Sequence, residues 1–187
     1  MEFPKTLIKR NGYIERIKPF MRKNIAKVLT GQRRVGKSFL LYQLMDQLLV
    51  EEPDANIIYI NFEDFAFSHI QTAEDMHAYI MSKFRKEKYN YIFVDEIQEI
   101  VNFERVIRSL LLNENNDIYI TGSNAKMLSG ELATYLSGRY IEFSVYSLSY
   151  LEFLAFHKLE NNNESLYLYS RYGGLPYFCL LYTSPSP

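Results

Sequence analysis

The sequence predicts a three-layer α/β fold in which helices cover both faces of a mainly parallel, five-stranded sheet. Strand-like apolar runs alternate along the chain with segments whose apolar residues recur at helical spacing, and this alternation is typical of parallel sheets. A glycine-rich turn separates the first such strand from the first such helix. The chain has 187 residues, which is enough for one well-packed domain and too few for two of ordinary size.

Five short apolar runs are the predicted strands. In chain order they lie at 25–30, 57–62, 91–94, 118–120 and 141–145. Apolar residues at helical spacing from 39 to 49 follow the first run and predict the first helix. The second run is followed by Met76, Ile80 and Phe84, whose spacing of four residues predicts the next helix.

Capping residues mark two helices in the second half of the chain. Asn102 is placed to cap a helix whose apolar face runs from 103 to 111. Ser149 and Glu152 have the spacing of a capping box, which predicts the start of a helix after the fifth strand. The polar run 161–163 then has the composition of a linker.

Composition and charge exclude several classes of protein. Hydrophobic residues make up 48% of the chain and charged residues 23%, which is a globular composition. The net charge of −1 provides no global basic field for nucleic acid or an anionic membrane. No window approaches the length of about 18 unbroken apolar residues that a membrane span needs. Because Cys179 is the single cysteine and no signal-peptide pattern is present, we expect a cytoplasmic protein.

A phosphate-binding motif lies between the first predicted strand and the first predicted helix. It comprises Gly31, Gln32, Arg33, Arg34, Val35, Gly36, Lys37 and Ser38, and Phe39 follows directly. This is the P-loop pattern in its expected context. The glycines let backbone N–H groups surround phosphate oxygens, Lys37 reaches the β- and γ-phosphates, and Ser38 ligates Mg²⁺. We therefore expect a P-loop NTPase in which all of these residues bind ATP with Mg²⁺.

Two acidic residues end the third predicted strand. Asp95 is where a carboxylate must lie to hold Mg²⁺ at the carboxyl edge of a parallel sheet, together with Ser38. Glu96 is placed to polarise the attacking water as a general base. The alternative is an acidic strand end that only caps the following turn. The P-loop earlier in the chain favours the catalytic interpretation.

An additional strand and helix lie between the P-loop and Asp95, an arrangement that resembles the P-loop ATPases with a catalytic glutamate. Six segments carry a narrower resemblance, namely GQRRVGKS, YINFED, YIFVDEIQ, ITGSN, LSGRY and YGGLP. In this order they resemble the prokaryotic AAA-family ATPases whose full-length members carry a C-terminal domain of uncertain function. The resemblance extends over about residues 5 to 178.

The resemblance implies further site residues. Ser123 and Asn124 lie where the family has its sensor 1 polar residues, which contact the γ-phosphate or the attacking water, and the spacing leaves open which of the two does so. The alternative for both is an ordinary polar turn. Arg139 matches an arginine that acts as a sensor or as an arginine finger, in cis or in trans. A finger in trans implies a homo-oligomer, whereas the alternative is a surface arginine paired with Glu142.

The resemblance also divides the chain. We expect a lead-in segment at 1–22, the ATPase core at 23–160 and the start of a truncated helical lid at 161–178. The tail at 179–187 resembles a translated sequencing adapter, and the alternative is a flexible Ser-Pro tail. On this interpretation the chain is an N-terminal fragment of a longer protein.

The predicted function is ATP binding and Mg²⁺-dependent ATP hydrolysis that drives an unknown process. The alternative is a regulatory switch in which bound ATP holds a conformation with little turnover. A nucleic-acid motor is a third interpretation, although the sequence has no basic stripe, and nucleic acid therefore stays open as a partner. No membrane partner is expected.

Overall fold

The computed structural model describes residues 9–123, 135–136 and 138–176, and it contains the predicted sheet. The strands are β1 Ala26–Thr30, β2 Asn56–Asn61, β3 Asn90–Asp95, β4 Asn116–Gly122 and β5 Tyr140–Ser144. Their spatial order is β2-β3-β4-β1-β5, and every neighbouring pair is parallel. The predicted fold class is confirmed, and the predicted strands differ from the observed ones only at their ends.

Six α-helices accompany the sheet in the described ranges. They are α1 Asn11–Ile17, α2 Lys37–Glu51, α3 Ala73–Ser82, α4 Phe103–Leu110, α5 Tyr150–His157 and α6 Asn163–Tyr172. None of these helices combines the length and the apolar character needed to cross a bilayer. The sequence predicts no helix before β1. α1 forms there because Ile14 and Ile17 lie three residues apart and bury one face against the core on the α2 side.

The side chains of the central strand β3 alternate between two apolar cores. Tyr91 and Phe93 face α1 and α2, whereas Ile92 and Val94 face α3 and α4. All four are fully buried, because helices cover both faces of the sheet. Asp95 follows in the same alternation and therefore lies on the α2 face, which is the face that carries the P-loop.

One predicted cap forms and the other does not. Ser149 and Glu152 make the expected capping box at the start of α5. Asn102 does precede α4, but its side chain makes no capping hydrogen bond and its φ is 62°. Its contribution is instead a left-handed backbone conformation, which asparagine tolerates better than most residues.

A buried ion pair lies at the amino edge of the sheet, opposite the P-loop. Lys27 of β1 and Asp117 of β4 are both fully buried, and the ammonium donates to the carboxylate. The Tyr119 hydroxyl donates to the other oxygen of Asp117 over 2.8 Å. Burial lowers the pKa of Lys27, and the charge of Asp117 opposes that shift. The pair lies at the end of the sheet away from the P-loop.

Candidate active site

The loop from 31 to 36 joins the carboxyl end of β1 to α2. It contains two glycines, and each position requires glycine for a different steric reason. At Gly31 a Cβ atom would lie 2.2 Å from the carbonyl oxygen of Val145, so a side chain there is excluded. Gly36 has a φ of 97°, a conformation that L side chains rarely adopt. The loop can therefore fold tightly against the segment that follows β5.

Lys37 begins α2 and is almost fully buried, with 4% of its surface exposed. Its ammonium donates to the carbonyl oxygens of Gly31 over 3.1 Å and Gln32 over 3.0 Å. The loop thus holds the ammonium beside the free N–H groups at the first turn of α2, where anions bind favourably.

Asp95 places a buried carboxylate next to the Ser38 hydroxyl. It is 1% exposed, and it accepts hydrogen bonds from the side chains of Ser38 and Thr121. Burial raises the pKa of Asp95, and these two hydrogen bonds oppose the shift. A hydroxyl oxygen beside a carboxylate is a donor set suited to Mg²⁺, which prefers oxygen ligands. The side chains of Ser38 and Asp95 therefore fit a Mg²⁺ ion.

Glu96 lies between the P-loop lysine and two hydrogen-bond donors. Its Oε1 is 3.5 Å from the Lys37 ammonium, and its Oε2 accepts from the Ser123 hydroxyl over 2.7 Å and from the Gln98 amide. Burial alone would raise the pKa of Glu96, but the bonds from Ser123 and Gln98 and the charge of Lys37 outweigh burial and lower it. The carboxylate is therefore held in its ionised, proton-accepting form.

The backbone of Glu96 is also unusual, because its φ of 53° is in the left-handed region. Such a conformation costs energy in a residue other than glycine, and it re-aims the side chain at the end of β3. The N–H of Glu96 is held by the Thr121 hydroxyl over 3.0 Å. The strained conformation is therefore fixed by a neighbouring strand.

Thr121 and Gln98 are site residues that the sequence analysis missed. The Thr121 hydroxyl donates to Asp95 and accepts the N–H of Glu96, so one side chain orients both acids. The available signal was its place at the carboxyl end of β4, the strand beside β3. Gln98 lies two residues after Glu96, and no spacing rule singled it out.

The structure brings most of the other predicted residues to the same edge. Val35 is buried in the core beside α2, whereas Gln32, Arg33 and Arg34 are exposed. Phe39 is 45% exposed, and its ring meets that of Tyr42 edge to face at 6.1 Å. Asn124 lies outside the described residues, so only Ser123 of the two sensor candidates is placed.

Arg139 does not join this site. Its carbonyl oxygen accepts the N–H of Ala26 at the amino end of β1, whereas the P-loop leaves the carboxyl end of the same strand. The alternative pairing with Glu142 does not form either, since no ion pair joins these two described residues. The carboxylate of Glu142 instead accepts from the Thr30 hydroxyl over 2.6 Å.

Arg139 lines a cavity of about 410 Å³ beside α4. Two further arginines, Arg105 and Arg108, line the same cavity. Its other lining residues are Ser109, Leu111, Leu112 and Leu136. Within the described part of the chain, none of the three guanidinium groups forms an ion pair or a side-chain hydrogen bond. Three arginines that have no ion pair within the described residues favour an anionic occupant for this cavity.

Comparison with known proteins gives a matching family model and two relatives in sequence. A family model described as an AAA domain matches residues 23–154. A Haemophilus influenzae protein is 39% identical over 178 residues, which are 92% of this chain and 44% of that protein. A Methanocaldococcus jannaschii protein is 34% identical over 134 residues, 71% of this chain and 29% of that protein. The chain spans less than half the length of either relative.

Solved structures extend the similarity to the fold alone. The Aeropyrum pernix ORC1 protein in complex with DNA aligns with a TM-score of 0.65 at 13% identity, over 95% of this chain and 59% of that one. The AMPPCP-bound DnaA from Aquifex aeolicus aligns with a TM-score of 0.59 at 16% identity, over 95% and 61% of the two chains.

Proposed function

The chain belongs to the AAA domain family whose model matches it, and on that premise we propose that it binds ATP with Mg²⁺ and hydrolyses it. The observation that carries this proposal is the position of Glu96. Its ionised carboxylate is 3.5 Å from the P-loop ammonium and directly follows the carboxylate beside Ser38. The proposed site therefore has its phosphate-binding, metal-binding and basic groups at one edge of the sheet.

The binding step uses the P-loop. In the proposal, backbone N–H groups of the loop and of the first turn of α2 contact phosphate oxygens, and Lys37 contacts the β- and γ-phosphates. Ser38 and Asp95 would hold Mg²⁺, and the ion would supply neutralisation of negative charge on the phosphates. The buried setting strengthens each of these electrostatic contacts.

The hydrolytic step uses Glu96. Its carboxylate accepts a proton from water as the water oxygen bonds to the γ-phosphorus, and the bond from that phosphorus to the bridging oxygen breaks. ADP carries away the electron pair, and inorganic phosphate leaves. Ser123 and Gln98 orient the carboxylate by donating to it. Whether Ser123 or Asn124 contacts the γ-phosphate or the water stays a prediction.

A direct test is the release of inorganic phosphate from ATP by this chain. We expect Mg²⁺-dependent release that Glu96→Gln slows by about 10² to 10⁴, the usual contribution of a positioned base. Tight ATP binding without release above that of Glu96→Gln would favour the regulatory switch instead.

For Arg139 we propose a role in trans, toward the nucleotide of a second copy of this chain. The P-loop and Arg139 lie at opposite edges of the sheet, so the side chain cannot reach the γ-phosphate of its own copy. The arginine-lined cavity supplies the cationic character that such a contact needs. On this proposal the working form is a homo-oligomer.

The division of the chain into a lead-in at 1–22, a core at 23–160 and a lid from 161 also stays a proposal. An apolar cluster around Leu148 and Phe153 joins α5 of the proposed core to α6 of the proposed lid, so the two parts pack against each other across that boundary. The tail at 179–187 lies outside the described residues.

A further inference from the structure

We propose that Arg10 is a positioning residue for nucleotide binding, which holds the P-loop in its phosphate-binding shape by joining it to the start of α5. Arg10 precedes α1 and belongs to no motif in the sequence. The inference rests on the proposed function of the P-loop and adds to it a group that prepares the loop and links it to the helices after β5.

One guanidinium group makes five hydrogen bonds to three separate parts of the chain. Its Nη1 donates to the carbonyl oxygens of Val35 over 3.1 Å and Tyr146 over 3.0 Å. Its Nη2 donates to the carbonyl of Ser147 over 3.4 Å and to Glu152 over 3.1 Å, and Nε donates to Glu152 over 2.7 Å. Arg10 is only 6% exposed.

This set of acceptors requires arginine. The bidentate contact with Glu152 neutralises the buried charge, and the planar fork still has donors for backbone carbonyls on its other side. A lysine ammonium has three donors at a single point and cannot span the same acceptors. The backbone N–H of Arg10 donates to Gln43 of α2 over 3.0 Å, and its guanidinium lies 4.5 Å from the Tyr13 ring centre, so both ends of the residue are held.

The contact with Val35 determines how the P-loop presents its donors. In a trans peptide the C=O and the following N–H point in opposite directions. Because the Val35 carbonyl points to Arg10, the N–H of Gly36 points away from Arg10. Gly36 has no Cβ to resist a flip of this peptide, and a flip would turn the carbonyl oxygen to the side that the N–H now occupies. Arg10 therefore opposes a change that would exchange a phosphate donor for an acceptor.

The same guanidinium links the loop to α5. Glu152 accepts the N–H of Ser149 over 2.8 Å in the capping box, so it holds the first turn of α5 and Arg10 at once. Displacement of that turn would separate Glu152 from Arg10. The guanidinium group that donates to the Val35 carbonyl would then be held less firmly. The geometry thus couples the placement of α5 to the shape of the P-loop.

The test compares Arg10→Lys and Glu152→Gln with the wild-type chain and with Arg22→Ala. Arg22 is a matched control, since it donates to Tyr91 over 2.8 Å and pairs with Glu52 at 2.9 Å on the amino side of the sheet. Glutamine at 152 keeps a capping-box acceptor and removes only the charge. For each variant we would measure the Kd of Mg-ATP, KM, kcat and Tm.

If Arg10 positions the P-loop, its replacement should raise KM and leave kcat nearly unchanged. Arg10→Lys should raise Kd and KM about tenfold, because an apparent Kd rises by the inverse of the binding-competent fraction. At saturating ATP, kcat should stay within about twofold, since bound phosphate restores the loop. Glu152→Gln should raise Kd about threefold, and Arg22→Ala should lower Tm with an unchanged Kd.

Other outcomes overturn the proposal. If Arg10→Lys lowers Tm and kcat together and leaves KM unchanged, the residue only stabilises the fold. If Arg10→Lys fails to fold, Glu152→Gln decides alone, and an unchanged Kd there rejects the coupling. If the wild-type chain binds ATP and Arg10→Lys binds it equally well, the role of Arg10 fails while the proposed function stands. If the wild type binds no ATP, both fail.

Discussion

The ammonium of Lys37 lies 3.5 Å from Oε1 of Glu96, so the P-loop cation and the candidate base are ion-paired. Both side chains are buried, with exposed fractions of 3% and 7%, and their attraction is therefore little screened by solvent. Because phosphate oxygens and the carboxylate attract the same ammonium, Glu96 competes with ATP for Lys37 while it prepares to act on the attacking water.

This competition predicts the effect of Glu96→Gln on binding. The amide removes the competing charge at nearly constant shape, so we expect Mg-ATP affinity to be unchanged or a few-fold tighter while phosphate release falls. Calorimetry of the variant measures the affinity. Glu99→Gln, an exposed neighbour in the next turn, is the matched control and should alter neither quantity. A Glu96→Gln variant that binds ATP much more weakly would show that the carboxylate supports binding and would contradict the competition.

The hydrogen bond from Ser123 predicts a shift in the pH dependence. Glu96 acts as a base only when ionised, so turnover should be lost as pH falls through its lowered pKa. Ser123→Ala removes a donor to the carboxylate and should therefore raise the pKa of Glu96 and move the acid limb of kcat/KM to higher pH. Profiles that extend below the ordinary glutamate pKa, from about pH 3 to 7, measure this. An acid limb at the same pH in both proteins would mean that Ser123 does not tune Glu96.

Arg139→Ala should reduce turnover by up to about 10³ with little change in ATP affinity, because a finger contacts transition-state charge. A role in trans adds a sharper expectation. Mixing Arg139→Ala with Lys37→Ala should restore part of the activity, since one partner supplies an intact P-loop and the other an intact Arg139. Lys37→Ala mixed with Glu96→Gln should stay inactive. If the activity of the first mixture is only the sum of the activities of the two separate variants, the role in trans is wrong.

Because the buried Lys27–Asp117 pair lies away from the P-loop, we expect its substitution to change the stability of the fold and not the candidate active site. Asp117→Asn leaves the Lys27 ammonium buried without its counter-ion, and breaking such a pair costs about 3 to 5 kcal/mol in the free energy of unfolding. The double variant Lys27→Met with Asp117→Leu should recover most of that loss, since apolar replacements of buried pairs are often neutral. Urea unfolding measures both. A double variant no more stable than Asp117→Asn would contradict this account.

The features that the sequence predicts are those whose residues lie close together in the chain. The P-loop directly follows its strand, and Asp95 and Glu96 are adjacent at the end of another, so each motif is visible within one short segment. The structure places Lys37 and Glu96 at the same edge, as the common carboxyl edge of parallel strands requires.

What the sequence did not predict depends on contacts between distant residues. The acceptors of Arg10 are mainly backbone carbonyls, which no residue type identifies, and they lie between 25 and 142 positions away. Thr121 orients two acids only because β4 lies beside β3. The remoteness of Arg139 from the P-loop likewise follows from strand direction, which a motif in the sequence does not state.

ATP binding by the P-loop can be measured by titration calorimetry of Mg-ATP against the wild-type chain, Lys37→Ala and Lys86→Ala. Lys86 is exposed and serves as a control for the loss of one positive charge. We expect saturable binding to the wild type and to Lys86→Ala with the same Kd. For Lys37→Ala we expect at least about tenfold weaker binding, because a charge-assisted phosphate contact is lost. Binding of Mg-ATP to Lys37→Ala with the wild-type Kd would show that the P-loop does not bind the nucleotide.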